Sequence, residues 1–242
     1  MLRFDPPLVT GKLLKRYKRF LADVELDDGT VVTAHCANPG SMKSVSRPGS
    51  QVYLSHHPSP HRKLAWSLEA IRVGHHWIGI HPANANRVVE AALQRNLVPE
   101  LSGYEEIRPE VAPKKGSRLD FQLTHPDKPT CWVEVKYVTM KEGNAALFPD
   151  SVSERGLKHL EVLKELVDQG SRAVLLFLCP RGDVTSVSPA DEIHAAYGDT
   201  LRQVQKEGVE ILAYRARVGK RGIRWDDRLV FSPRAPEPSP LL

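Results

Sequence analysis

The sequence predicts an α+β protein of two domains: a small closed β-barrel at the amino end, then a mixed sheet with helices on its faces. Three observations predict it. Residues 1–82 carry short alternating apolar segments and turn residues but no helical period. Residues 83–217 then run in the order α-β-β-α-β-α-β, which suits a mixed sheet between helices. The charge divides at the same place: residues 1–83 hold 11 Lys/Arg against 6 Asp/Glu, and the remainder holds 23 of each. At 242 residues, 41% of them hydrophobic, the chain can bury a core in each part.

In the first domain Leu8–Leu14, Arg19–Leu26, Val31–Cys36, Gln51–His56 and Ala65–Val73 read as strands. Phe20, Ala22, Val24 and Leu26 alternate with polar residues up to Asp27-Asp28-Gly29, a hairpin signal. About five short strands in this length suit an OB-fold barrel. Lys12, Lys15, Arg16, Lys18 and Arg19 crowd eight positions around Tyr17. Cations interleaved with an aromatic fit a single strand or a phosphate backbone, and a solvated hairpin is the plain alternative. Lys43, in the turn-rich loop after Cys36, extends the basic set. The excess of positive charge points to a polyanion partner, with nucleic acid first. His56-His57-x3-His61 and His75-His76-x4-His81 have zinc-like spacing, but no Cys or carboxylate completes either set, so both read as polar loops.

In the second domain Ala85–Asn96 reads as a helix. Val88, Val89, Ala92 and Leu93 form its apolar face, and Asn84 or Asn86 is the expected cap. Arg118–Thr124 and Cys131–Val138 read as strands joined by a polar turn. Ser151-Val152-Ser153-Glu154 fits a capping box. It opens a helix with Leu157, Leu160, Leu163, Leu166 and Val167 on one face, closed by Gly170. Arg172–Leu178 has the near-continuous apolar character of a strand buried on both faces. A further helix starts at Pro189–Asp191 and ends near Gly208, and Val209–Ala216 is the last expected strand. Residues 218–242 read as a partly disordered tail, with four prolines across Pro233–Pro240.

The chemistry concentrates on Asp120 and Glu134-Val135-Lys136. Side chains alternate along a strand, so Glu134 and Lys136 share one face while Val133 and Val135 take the opposite, apolar one. If the two strands pair, Asp120 approaches Glu134 and puts two carboxylates and an amine at one spot. Oxygen ligands of this kind suit Mg²⁺ or Mn²⁺. The ion would activate water and stabilise charge on a phosphate, and the Lys136 ammonium would steady the nucleophile or the transition state. This is the layout of the PD-(D/E)xK nuclease core, here with Leu119-Asp120 in place of Pro-Asp. The plain alternative is an exposed strand face with a cross-strand ion pair. Against it, Glu134-Val135-Lys136 is the only Glu-x-Lys in the chain and lies between apolar segments, where an unpaired charge is costly. Glu90, on the first helix, is a candidate further acid. Arg118, Arg155, Lys158 and His159 are candidate phosphate contacts, with Arg155 and His159 four apart on one helix face; an exposed helix surface paired with Glu154 and Glu161 is the plain alternative.

Several segments occur together and in order: Asn38-Pro39-Gly40-Ser41-Met42, Asn84-Ala85-Asn86-Arg87, Leu101–Tyr104, Ser117–Phe121, Glu134–Thr139, Phe148–Gly156, Lys158-His159-Leu160 and Gly208–Tyr214. By these the chain resembles the sugar fermentation stimulation protein family over roughly residues 1–217. The resemblance implies an OB-like domain, then a PD-(D/E)xK nuclease-like domain. It also implies sequence-nonspecific DNA binding and a part in regulating sugar catabolism. It leaves open whether members cut DNA. The first-domain loop departs from the pattern, reading Asn-Pro-Gly-Ser-Met where other members have Asn-Thr-Gly.

Cys36, Cys131 and Cys179 are odd in number and widely spaced, offer no zinc or disulfide framework, and fit a reducing cytosol. Met1–Pro7 has no signal-peptide apolar stretch, and the longest apolar run, Ala173–Cys179, is too short to span a membrane. The expectation is a cytoplasmic DNA-binding protein without a membrane partner, carrying a Mg²⁺ or Mn²⁺ site that hydrolyses a phosphodiester if the core is active. Its rivals are a non-catalytic DNA-binding regulator with a vestigial core and a sensor of sugar phosphates. The oligomeric state, homodimer included, stays open.

Overall fold

The computed structural model of the chain describes residues 1–42 and 44–234. Lys43 and residues 235–242 lie outside the described residues, and with them most of the proline-rich stretch. A two-residue strand β1 (Leu2–Arg3) comes first. The barrel follows, from β2 (Val9–Tyr17), β3 (Leu21–Leu26), β4 (Val31–His35), β5 (Gln51–His56) and β6 (Trp66–Val73), with β7 (His76–Gly79) folded back on β6. β2 pairs antiparallel with β3 and β5, β3 with β4, and β5 with β6. A parallel contact of β4 with β6, through Ala34↔Trp66, closes the ring. Closure removes the free edges. Alternation places Leu13, Val24, Val52, Leu54 and Leu68 inside. The five strands expected from the sequence are all present, each within a few residues of its expected ends.

The turn from β2 to β3 breaks a local rule. Lys18 and Arg19 both have positive φ, 47° and 65°. Consecutive left-handed residues in a hairpin turn are normally Asn or Gly, and a residue with a Cβ pays roughly 1–2 kcal/mol for this conformation.

The second part continues with α1 (Asn84–Leu93), a 3₁₀ turn (Pro99–Leu101), β8 (Glu106–Lys114), β9 (Ser117–His125) and β10 (Lys128–Tyr137). Next come β11 (Met140–Glu142), β12 (Ala145–Phe148), α2 (Glu154–Asp168), β13 (Arg172–Cys179) and β14 (Ser186–Pro189). The last elements are α3 (Asp191–Lys206), β15 (Glu210–Gly219), β16 (Gly222–Arg228) and β17 (Val230–Phe231). Seven strands form the main sheet in the order β1-β16-β15-β13-β10-β9-β8, and β11-β12-β14-β17 form a small second sheet. The main sheet separates two cores. Val174, Leu176 and Leu178 of β13 face the α1 layer, while Leu175 and Phe177 face α2 and α3. Burial on both faces explains the unbroken apolar sequence of this strand.

The structure corrects several expectations. Residues 218–234, read as tail, hold the end of β15 and all of β16 and β17. Leu2 and Arg3, read as part of the barrel domain, pair instead with Ile223 and Gly222 of β16 at the edge of the other domain's sheet. Gly222 permits this docking, because a Cβ there would lie 2.2 Å from the Leu2 carbonyl oxygen. Neither Asn84 nor Asn86 caps α1; the N-cap is Ala83, without a side-chain bond, and the two asparagines reach Glu69 and Asp120 instead. The N-cap of α2 is Ser153, whose hydroxyl accepts from the Gly156 amide at 3.1 Å, rather than Ser151. His159, expected on an open face with Arg155, is buried. All three cysteines are free and buried. No helix among the described residues is long and apolar enough to cross a membrane.

Candidate functional site

The site forms where β9 leaves β10. The two strands hold register through Val133↔Phe121. Beyond that pair Phe121 stays in the α1 core while Leu119 turns into the α2–α3 core. On a regular strand these alternate residues would share a face, so the chain twists at Asp120 between them. The Asp120 carboxylate then takes the place of a ladder carbonyl: its Oδ2 accepts from the Val135 amide at 2.7 Å. Its Oδ1 accepts from Asn86 Nδ2 of α1, also at 2.7 Å.

Glu134 lies on the opposite face from Val133 and Val135, toward α2. Its Oε1 accepts from Lys136 Nζ at 2.7 Å and from His159 Nδ1. Arg155 Nε lies 3.4 Å from the other ring nitrogen of His159. His159 Nδ1 also lies 3.3 Å from Lys136 Nζ. Glu134 Oε2 is buried without a partner, and an unpaired buried acceptor costs about 1–3 kcal/mol. Glu134 and Lys136 are respectively 4% and 9% exposed, so this is a buried ion pair.

The two acids are pushed apart in acidity. Burial, reinforced by the charge of Glu134, raises Asp120 to about 6. Burial also pulls Glu134 upward, but the hydrogen bond from His159 and the charge of Lys136 outweigh it and hold this carboxyl below the ordinary range. Carboxylates that interact this strongly, one of them with a bare oxygen, are suited to share a cation. Among the described residues no group of three or more His, Cys, Asp or Glu side chains gathers to hold an ion. Two carboxylates, one with a bare buried oxygen, are oxygen donors of the kind a hard divalent cation takes.

A polar cleft of about 860 Å³ opens between the domains beside this site, which it reaches through Asn86, Val135 and Lys136 rather than through the two acids themselves. Arg16, Arg19, Asn86, Lys136 and Asp150 are among its walls. Arg118, Arg155, Lys158 and His159 are among the walls of a second cleft of about 510 Å³. The structure thus brings Arg118, Arg155 and Lys158 together. Arg118 also sits 3.6 Å from Glu110. In the barrel, Lys12, Lys15, Lys18 and Arg19 are exposed, with Lys15 3.4 Å from Asp23. Arg16 is engaged inside the protein: it donates to the carbonyls of Asn38, Gly40 and Ser41 at 3.0, 3.1 and 3.3 Å. Glu90 is half-buried, and no hydrogen bond or ion pair among the described residues joins it to Asp120 or Glu134. The helix presents Asn86 there instead, one turn earlier.

Three participants escaped the sequence reading: Asn86 as the support of Asp120, His159 as the support of Glu134, and Asp150 as a wall of the cleft. Asp150 is pushed above the ordinary carboxylate range by burial. The usable signal for His159 was its place one residue before Leu160 on the apolar side of α2.

A family model described as the sugar fermentation stimulation protein RE domain matches residues 83–222. Another, described as the SfsA N-terminal OB domain, matches residues 14–80. The sugar fermentation stimulation protein homolog of Geobacter sulfurreducens is 52% identical over 92% of this chain and 95% of its own length. That of Geobacter metallireducens is 50% identical over 94% and 98%. Among solved structures, Pyrococcus furiosus SfsA in complex with Ca²⁺ aligns with a TM-score of 0.83 at 25% identity, covering 93% of this chain and 96% of that one.

Proposed function

The chain belongs to the sugar fermentation stimulation protein family, and from that premise we propose that it binds DNA without sequence preference and carries a divalent-metal site of nuclease type. The observation that carries this reading is the Asp120 carboxylate on the Val135 amide, between Glu134 and its Lys136 partner along β10, near enough for the charge of Glu134 to raise Asp120. The Pyrococcus furiosus relative was solved with Ca²⁺, a cation as hard as Mg²⁺ and Mn²⁺, and Asp120 and Glu134 are the residues that would hold such an ion here. When bound, the ion supplies a polarised water and offsets phosphate charge. Asn86 fixes the orientation of Asp120, and His159 and Lys136 fix that of Glu134. Lys136 keeps further N–H donors for the cleft, where charge grows on a phosphodiester under attack. Arg118, Arg155 and Lys158 supply backbone contacts that position DNA without reading it. The part in sugar catabolism that the family name carries would then act through DNA.

One observation favours the non-catalytic regulator as a second reading. Lys136 and His159 already satisfy Glu134 Oε1, which makes a stable arrangement without an ion. Calorimetry and a nicking assay separate the two. Mn²⁺ should bind the wild-type protein, and Asp120→Asn with Glu134→Gln should abolish it; equal affinity in the double variant removes the site. Single-stranded, duplex and branched DNA are then scanned with Mg²⁺ and Mn²⁺. Lys136→Ala should lose about 10²-fold or more in cleavage rate while DNA affinity holds. Intact binding with no substrate cut under either metal establishes the regulator.

A further inference from the structure

The β2–β3 turn carries strain that the metal site does not explain. Lys18 and Arg19 occupy left-handed conformations where Asn-Gly would be relaxed. Residues held in such conformations cluster at ligand clamps and other functional sites. The turn presents two exposed cations and then Phe20, an aromatic that is 42% exposed. The Phe20 ring stacks on His35 of β4, with centroids 6.3 Å apart and planes within 21°. An exposed aromatic stack beside cations is the ordinary platform for unpaired bases.

This platform runs into the interdomain cleft, because Arg19 is part of both. The cleft cannot widen freely. Its barrel side is the loop Asn38–Ser41, which the Arg16 guanidinium pins through three carbonyls. The same loop touches the other domain, where a Cβ on Gly40 would stand 1.9 Å from Asp150 Oδ2. The domains are therefore bridged beside the cleft. Its volume, about 860 Å³, falls in the range of small-molecule sites, about 300–1,000 Å³. That is room for one or a few nucleotides of a single strand.

We propose that a single-stranded DNA segment crosses the β2–β3 turn, with a base on the Phe20–His35 stack and phosphates on Lys18 and Arg19, and enters the interdomain cleft toward Asp120 and Glu134. The proposal rests on the DNA reading above and names the form of DNA that reading leaves open.

Fluorescence anisotropy in EDTA tests it, comparing a labelled oligo-dT with a blunt duplex of equal length. Oligo-dT should bind roughly tenfold tighter or more. Phe20→Ala should weaken oligo-dT binding roughly tenfold and leave duplex binding unchanged, and Phe20→Tyr should preserve both. The combined change Lys18→Asn and Arg19→Gly removes misfolding as an explanation, since it relaxes the turn: the melting temperature should rise while oligo-dT affinity falls. Equal affinity for the two forms, or oligo-dT binding indifferent to Phe20→Ala, overturns the single-strand track and leaves DNA binding standing. Failure of both forms to bind at low salt overturns the DNA reading together with the track.

Discussion

Asp120 is an acid whose surroundings work against its charge. Burial and the neighbouring Glu134 raise it to about 6, whereas in the unfolded chain it titrates near its ordinary value of 3.8. Across that window the folded protein keeps a proton that the unfolded chain has lost. Its contribution to stability therefore falls as pH rises through the window and levels off above it. Asp120→Asn removes the penalty. The metal-free variant should be more stable than wild type above about pH 7, by roughly 1–2 kcal/mol, with the gap closing in acid. Denaturant titrations at several pH values measure this difference; a wild type more stable than the variant at neutral pH would mean that Asn86 and the Val135 amide outweigh burial. If the site takes a divalent ion as proposed, adding it should reverse the order, stabilising wild type alone and only above about pH 6. The acids and Lys136 were legible in the sequence because their residue types carry the chemistry. Asn86 and His159 were not, because an asparagine or histidine acquires its role only from how its helix docks. Gly156 lets α2 lie close to Tyr197 of α3, with its own cap Ser153 beside it, and the buried His159 reaches Glu134 from the same helix.

At the scale of elements, period decided what could be read. The barrel strands alternate and β13 is apolar from Ala173 to Cys179, so their sequences announce them. β8 carries Pro109 and Pro113, which only an edge strand tolerates, and its position at the end of the sheet order is where such a sequence can pair. β11, β12, β14 and β17 span two to four residues each, too few to show a period. Caps fall below the same threshold, since Ser151 and Ser153 are equally good residues for the start of α2. The structure distinguishes them. Ser153→Ala should destabilise the protein by about 1 kcal/mol and lower its melting temperature by roughly 2–4 °C. Ser151→Ala, at an exposed position, should leave the melting temperature unchanged. Thermal unfolding of the two variants side by side tests the assignment, and the reverse order would return the cap to Ser151.

For the whole molecule, the net charge of +5 sits on the barrel, but part of it is spent internally. Arg16 holds a loop and Lys15 faces Asp23. Lys12, Lys18 and Arg19 remain for a polyanion. Reversing these three to Glu should weaken binding on every DNA sequence alike and flatten the logarithmic salt dependence on single strands by about 2. Binding isotherms at several salt concentrations give that slope, and an unchanged slope would place the grip elsewhere. The two-domain plan was legible from composition and period; the crossing of β1 into the other domain's sheet was not, because two residues carry no pattern. That crossing has a consequence for synthesis on the ribosome. The barrel strands, within residues 9–73, find all their ring partners in one early stretch, so the barrel can close while the rest of the chain is still being made. Leu2 must wait for Ile223. A strand made before the barrel finds its place only after it.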